Sequence, residues 1–428
     1  MPSLAHRFKA SGWVYPTAIL SFYGFLANCR VAEPFLTPYL IGPHKNISAE
    51  VVTNYLFPIW TYSYLAVLFP VFLLTDLLRY KPLIVVQGLS LVTNYVLLCF
   101  APGLPAMAFL QVNYAVVTAT EVAYFSYIYS VIPPEKYQRA TGFLRSAMLT
   151  GYTVGATLGQ LLISLAEGMP GEDRTVGVTA QGEAGRHGGS CGGEDVNHVT
   201  RLLWRSFRES YASRQVICWS LWWALATAGY NMVFNYVQLM WDHIESSATS
   251  SIYNGAVEAV CTLIGAAAAF AAGQVEVTWA VWGELALGSF SCVGAGAVFL
   301  MALTDNIWAC YAGYVLFKAS YMLLITITTF QIASNLSMEC YALTFGINTF
   351  IALSLQTIVT AVVVDESVLG LDIVTQFIIY GSYYAAISVV FLVRGIYTAS
   401  THYRSPEQTQ TKEPKPESSG DLLYAERL

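Results

Sequence analysis

The sequence predicts an all-α polytopic membrane protein. Charged residues are only 11% of the 428 and hydrophobic ones 55%, whereas a soluble domain carries about 25% charged residues. The deficit is spread along the chain: apolar runs of about 20 residues, the length that spans a hydrocarbon core, recur from Trp13 to near residue 396. Lys and Arg cluster between alternate runs, which is the pattern of a chain that crosses a membrane repeatedly.

Five apolar runs, near 13–41, 55–75, 82–100, 105–131 and 142–166, come first and predict an N-terminal transmembrane bundle over 1–167. The first ends in "RVAEPFLTPYL", whose Pro34 and Pro38 interrupt a helix at membrane depth; such breaks are tolerated where they line a cavity or pack in protein. Next comes "MPGEDRTVGVTAQGEAGRHGGSCGGEDVNH", Gly-rich and polar, so 168–214 is expected to be a cytosolic, partly disordered inter-bundle loop. Six further runs, near 215–237, 254–273, 278–303, 306–330, 341–364 and 373–396, predict a C-terminal bundle over 215–398. Residues 399–428, rich in Pro, Ser, Glu, Lys and Gln, are expected to be a disordered cytosolic tail.

The basic residues set the orientation. Arg7 and Lys9 precede the first run, Arg79 and Lys81 follow the second, and Lys136, Arg139 and Arg145 follow the fourth. Arg201, Arg205, Arg208 and Arg214 precede the sixth run, and Arg394 and Arg404 follow the last. All are assigned to the cytosol with both termini, and the other side carries almost no basic residue except Lys45. The sequon Asn46-Ile47-Ser48 then lies outside, making Asn46 a glycosylation candidate, while Asn335-Leu336-Ser337 lies inside and stays bare. The net charge of -6 and the absence of a basic patch exclude a nucleic-acid partner; the partners expected are a small molecule and the bilayer. The eight cysteines form no CxxC pair, so neither zinc nor a disulfide framework is expected.

An ionisable group inside a span costs at least about 2.5–3.5 kcal/mol, so it faces a cavity or a partner. The candidates are Arg30, Glu33, Glu121, Glu258, Glu284 and Lys318. At about 100° per residue, Gln111, Tyr114, Thr118 and Glu121 fall within roughly 80° of arc on the fourth run. Glu121 thus sits on a polar stripe and faces something positive, either Lys318 or a cationic substrate. Asn231, Asn235 and Gln238 share one face of the sixth run, a packing seam or a site. Lys318 and Tyr321 lie mid-span at i and i+3, in a structural ion pair or at a cavity, and Arg30 and Glu33 have the spacing to pair on one helix. Phe57 and Trp60 share a face of the second run. Neither a nucleophile–base pair nor a phosphate loop accompanies them, so the sequence argues against an enzyme and for no cofactor.

Several long segments, "RVAEPFLTPYLIGPHKN", "FPIWTYSYLAVLFPVFLLTDLLRYKP", "ATEVAYFSYIYSV", "WSLWWALATAGYNMVFNYVQLMWD", "SYMLLITITTFQIASNLSME" and "FGINTFIALSLQTI", resemble the reduced folate and thiamine carrier family. The resemblance runs from about Trp13 to about Gly395 and omits the polar loop and the tail. It implies a major-facilitator fold with two bundles rocking about a central site, and uptake of thiamine, with pyridoxine a further substrate, at the plasma membrane. It also implies substrate contacts at Glu33, Phe57, Trp60, Tyr114, Tyr152, Asn231 and Asn235. Folate carriers of the family have basic residues where this chain has Glu121 and Gln356, and anionic folates want those bases; a thiazolium cation wants carboxylate and aromatic faces. A reduced folate carrier is the alternative, and a non-transporting vitamin receptor or inactive isoform another. At Gln111 the chain departs from the family, which has glutamate there.

The family pattern has twelve spans, and no apolar run of span length lies between Gly168 and Arg214. With Arg7 and Lys9 inside, five spans would place the arginines of 168–214 outside, against the charge rule. The sixth family helix is therefore expected to be missing, leaving eleven spans, in an exon-skipped isoform or an incomplete gene model. The rival is a true eleven-span protein whose fifth run does not cross fully.

Overall fold

The structure, a computed structural model, describes residues 12–41, 45, 47–48, 51–78, 80–167, 208, 211, 213–245, 253–275, 277–336, 341–364 and 369–410. Among them are eleven long helices: α1 Val14–Asn28, α2 Phe57–Leu78, α3 Lys81–Phe100, α4 Leu104–Val131, α5 Tyr137–Glu167, α6 Arg214–Ile244, α7 Asn254–Gln274, α8 Trp279–Leu303, α9 Ile307–Ser334, α10 Tyr341–Val363 and α11 Ile373–Gln410. No strand occurs among the described residues. Six helices, α3 and α7 to α11, have stretches long and apolar enough to cross a membrane by length and composition alone. The remainder, α1, α2 and α4 to α6, carry most of the polar candidates of the first bundle and of the bundle interface, and α1 is short.

The run 13–41 is not one helix. Helix α1 stops at Asn28, the chain turns through Arg30, and a 3-10 turn at Glu33–Phe35 leads into a short helix, Leu36–Ile41. Pro34 enforces the break: it lacks an amide hydrogen and disfavours α geometry in the residue before it. A π-turn, Val52–Leu56, opens into α2. Helix α11 runs to Gln410, into the segment expected as a disordered tail. Extending an existing helix adds one hydrogen bond per residue fixed, and no glycine stops it there; residues 411–428 lie outside the described residues.

Packing follows burial. In its most apolar window α9 is 67% buried and α3 only 17%, so α9 is central and α3 peripheral, facing lipid. The first five helices meet the last six chiefly through α5 against α7 and α2 against α10. On α5, Gly151, Gly155 and Gly159 form one ridge over the end of α1 and the turn beyond it. A Cβ on Gly155 would lie 2.6 Å from the Arg30 backbone nitrogen, so only glycine lets α5 hold that turn in place. Gly155→Ala is expected to displace it and cost about 1–3 kcal/mol. The check is thermal unfolding in detergent; an unchanged melting temperature refutes the close approach.

At the end that charge assigns to the cytosol, called here the basic end, the two halves are closed together. The hydroxyls of Tyr137 and Tyr341 share a 2.8 Å hydrogen bond, Tyr129 packs on both rings, and Gln138 Nε2 donates to the carbonyls of Ala272 and Val275 at 2.8 Å. Helix α5 begins at this end. So does α6, because Tyr211 just before it donates to Asn348 Oδ1 (2.7 Å) and Asn348 Nδ2 donates to Ser220 (3.1 Å), two turns along α10 from Tyr341. The 31 residues of α5 measure about 46 Å, longer than a hydrocarbon core of about 30 Å, so α5 has the length, though not the apolarity of the six helices above, to cross. Its far end lies away from the basic end, and residues 168–207 lie outside the described residues.

Candidate functional site

The break after α1 brings three polar side chains together. Tyr114 donates to Glu33 Oε1 (2.6 Å), Arg30 Nη1 donates to the Tyr114 hydroxyl (2.5 Å), and Arg30 Nη1 lies 3.4 Å from Glu33 Oε2. Arg30 and Glu33 pair as their spacing suggested, but across the broken turn and not on one helix. Arg30 Nε is held by the Ala27 carbonyl at 3.0 Å, which fixes the guanidinium against the end of α1. Trp60 stands over Tyr114 with ring centroids 6.4 Å apart and has Tyr64 at 5.8 Å. Its indole nitrogen is buried with no acceptor among the described residues. Phe57 is in α2, but its side chain lies outside the described residues, as does Asn46.

Lys318 does not face Glu121. Its ammonium pairs with Glu258 of α7, whose other oxygen accepts from Tyr314 at 2.8 Å. Both residues are almost fully buried, at 3% and 5% exposure. The rings of Tyr152, Phe234 and Tyr314 surround the ammonium at 5.4–5.7 Å, favourable for a cation over aromatic faces. Helices α7 and α9 are neighbours, so a carboxylate sixty positions away reached Lys318 before Glu121 could. Tyr152 belongs to α5 and thus ties the first bundle to this pair. Tyr321 stacks on Tyr230 at 4.0 Å and shares a 3.0 Å hydrogen bond with Thr227. Asn231 Nδ2 donates to Gln356 Oε1 at 3.1 Å.

Glu121 is left uncommitted. It is half-buried on α4, and no hydrogen bond or ion pair to it occurs among the described residues. The cations whose fields reach it are Arg30 and Arg145. Gln111 is buried and Asn235 half-buried, and neither has a hydrogen-bond partner among the described residues. The chemistry available is a free carboxylate, aromatic faces and free amides, which suits an aromatic organic cation.

Arg145, a sidedness marker in the sequence that also falls in the fifth run, lies in α5 two turns inside Tyr137. Its guanidinium is 4.6 Å from the Phe125 ring centroid, and Nη2 reaches Thr329 Oγ1 of α9 at 3.4 Å. The helical reach of "YQRATGFLRSAMLTGY" back to Tyr137 was the signal available for it.

A crystal structure of the human organic anion transporter MFSD10 (TETRAN) has the same fold, with a TM-score of 0.59 over 90% of this chain and 99% of that one, at 13% identity. The family model for the reduced folate carrier matches residues 11–169 and 172–379. The chain belongs to the reduced folate carrier family. Within that family it is 45% identical to thiamine transporter 1 of Homo sapiens, covering 95% of this chain and 94% of the relative. It is 44% identical to thiamine transporter 2 of Homo sapiens, covering 97% and 96%. To the reduced folate transporter of Homo sapiens the identity is 38%, covering 91% and 73%. The first alignment runs over 469 positions, of which 95% of this 428-residue chain fills about 407. About 60 positions of that alignment therefore have no counterpart in this chain, and the family match breaks between 169 and 172.

Proposed function

We propose that this carrier moves thiamine across the membrane by alternating access. The observation that carries the proposal is Glu121: a half-buried carboxylate midway along α4 that has no ion-pair or hydrogen-bond partner among the described residues. The names of the 44–45% identical relatives support the substrate. The proposed contacts are Glu33, Trp60, Tyr114, Glu121, Tyr152 and Asn235, with Phe57, Gln111 and Asn231 around them; Gln356 orients Asn231 through their hydrogen bond. Lys318 supports the site from behind through Tyr152. The protein acts at the plasma membrane with its termini in the cytosol, a glycan on Asn46, and two bundles over 1–167 and 215–398. The absent positions near 170 carry the sixth span.

Purified carrier in liposomes tests this. Saturable uptake of labelled thiamine, without uptake of labelled folate, is expected; folate uptake without thiamine uptake overturns it, and binding without uptake supports the receptor reading. Gln111→Glu adds a carboxylate on the stripe of Tyr114 and Glu121 and is expected to tighten thiamine binding several-fold at neutral pH. Weaker binding, measured beside the parent protein by calorimetry, would remove the stripe from the site.

A further inference from the structure

We propose that Arg145 is the group that ejects the bound cation from Glu121 when the basic end opens, an inference that rests on the substrate site proposed above. Phe125, whose ring carries the Arg145 guanidinium at 4.6 Å, is one turn beyond Glu121 on the same face of α4. The two opposite charges are thus about one helical turn apart, and unpaired. Among the described residues Arg145 Nε is buried without an acceptor and Glu121 has no partner. Neighbouring unpaired charges at membrane depth are costly, and the arrangement is explained if each is satisfied at a different stage of the cycle.

What keeps them apart is a contact between bundles. Arg145 belongs to α5, and its only side-chain hydrogen bond among the described residues, at 3.4 Å, goes to Thr329 on α9. Thr329 is itself committed to the Ile325 carbonyl at 2.6 Å, so it loses nothing when Arg145 leaves. With the basic end shut by Tyr137 and Tyr341, Arg145 is anchored on the opposite bundle and Glu121 is open to a cation. When the bundles part at that end, the anchor breaks. The arginine swings one turn along α4 and pairs with Glu121, a charge-assisted contact that the outgoing cation must yield. The residue thereby couples release to opening.

Thiamine binding to the full chain is measured by calorimetry, with net uptake measured in liposomes. Arg145→Gln is expected to bind thiamine three- to tenfold more tightly while net uptake slows, and this gain should vanish in a Glu121→Gln background. Thr329→Val, a near-isosteric change, frees Arg145 early and should weaken binding three- to tenfold, and adding Arg145→Gln should reverse that. Unchanged or weaker binding in a folded Arg145→Gln protein overturns the proposal. So does a Thr329→Val protein with parental affinity, which is what simple repulsion by a fixed charge predicts. A readout without substrate separates this idea from the substrate reading. In ligand-free Thr329→Val, the melting shifts of Glu121→Gln and Arg145→Gln should be non-additive, because the pair has formed. Additive shifts refute the switch whatever the carrier transports, whereas a parent protein that binds no thiamine counts only against the substrate.

Discussion

Glu258→Ala should cost the carrier about 3–5 kcal/mol of stability, the usual consequence of removing one partner of a buried ion pair. The Lys318 ammonium would remain only 3% exposed, facing aromatic rings and no anion. Tyr314 would lose its acceptor at the same time. In cells this should appear as loss of the protein from the surface, and in detergent as a lower melting temperature. Replacing both members, Glu258→Gln with Lys318→Met, should recover most of the folding, since well-packed neutral side chains often replace such pairs without loss. Uptake should recover less, because Tyr152 faces the ammonium from the other bundle. A Glu258→Ala protein that melts with the parent would dismiss the pair as a structural element.

The second carboxylate should behave in the opposite way. Glu121→Gln leaves no protein cation newly orphaned among the described residues, so expression and melting should stay near the parent. Thiamine affinity should fall by about 2–3 kcal/mol, roughly 30- to 150-fold in Kd, the scale for losing one side of a desolvated charge pair. Calorimetry or competition against labelled thiamine measures it. Parental affinity in Glu121→Gln would remove the carboxylate from the site and leave the cluster of Glu33, Arg30 and Tyr114 as its centre.

The helices were legible in the sequence because span length and apolarity are local properties; α3, α7 and α8 begin and end within a residue or two of their apolar runs. Boundaries moved where polar residues continue a helix beyond the apolar run, as in α5 and α6, or where Pro34 divides one. The stripe holding Tyr114 and Glu121 could be read because helical period fixes which residues share a face. Which helix that face meets is a property of the assembled bundle. That is why Lys318 could not be matched with Glu258 on α7, and why its pairing left Glu121 free. The contacts of Arg145 were hidden for a related reason: a charge near a span end marks sidedness in a sequence, and only the packed α5 shows it turned toward Phe125 and Thr329.

The length of α5 carries its end away from the basic end, where α6 begins, and this has a consequence for synthesis. Insertion proceeds from the N-terminus, and each apolar segment tells the translocation machinery to stop or resume. Between Glu167 and Arg214 no segment gives that instruction. If α5 delivers its end into the lumen, the second half must either be threaded through from the wrong side or enter upside down, with the arginines at 201–214 translocated against their preference. The sequons would record the outcome. A chain seated with 201–214 in the cytosol and glycosylated at Asn46 would carry that sugar alone; inverted, it would expose the Asn335 sequon to the lumen and gain a second. Two bands on a gel, merged by glycosidase and reduced to one by Asn335→Gln, would be the signature of a carrier made in two orientations.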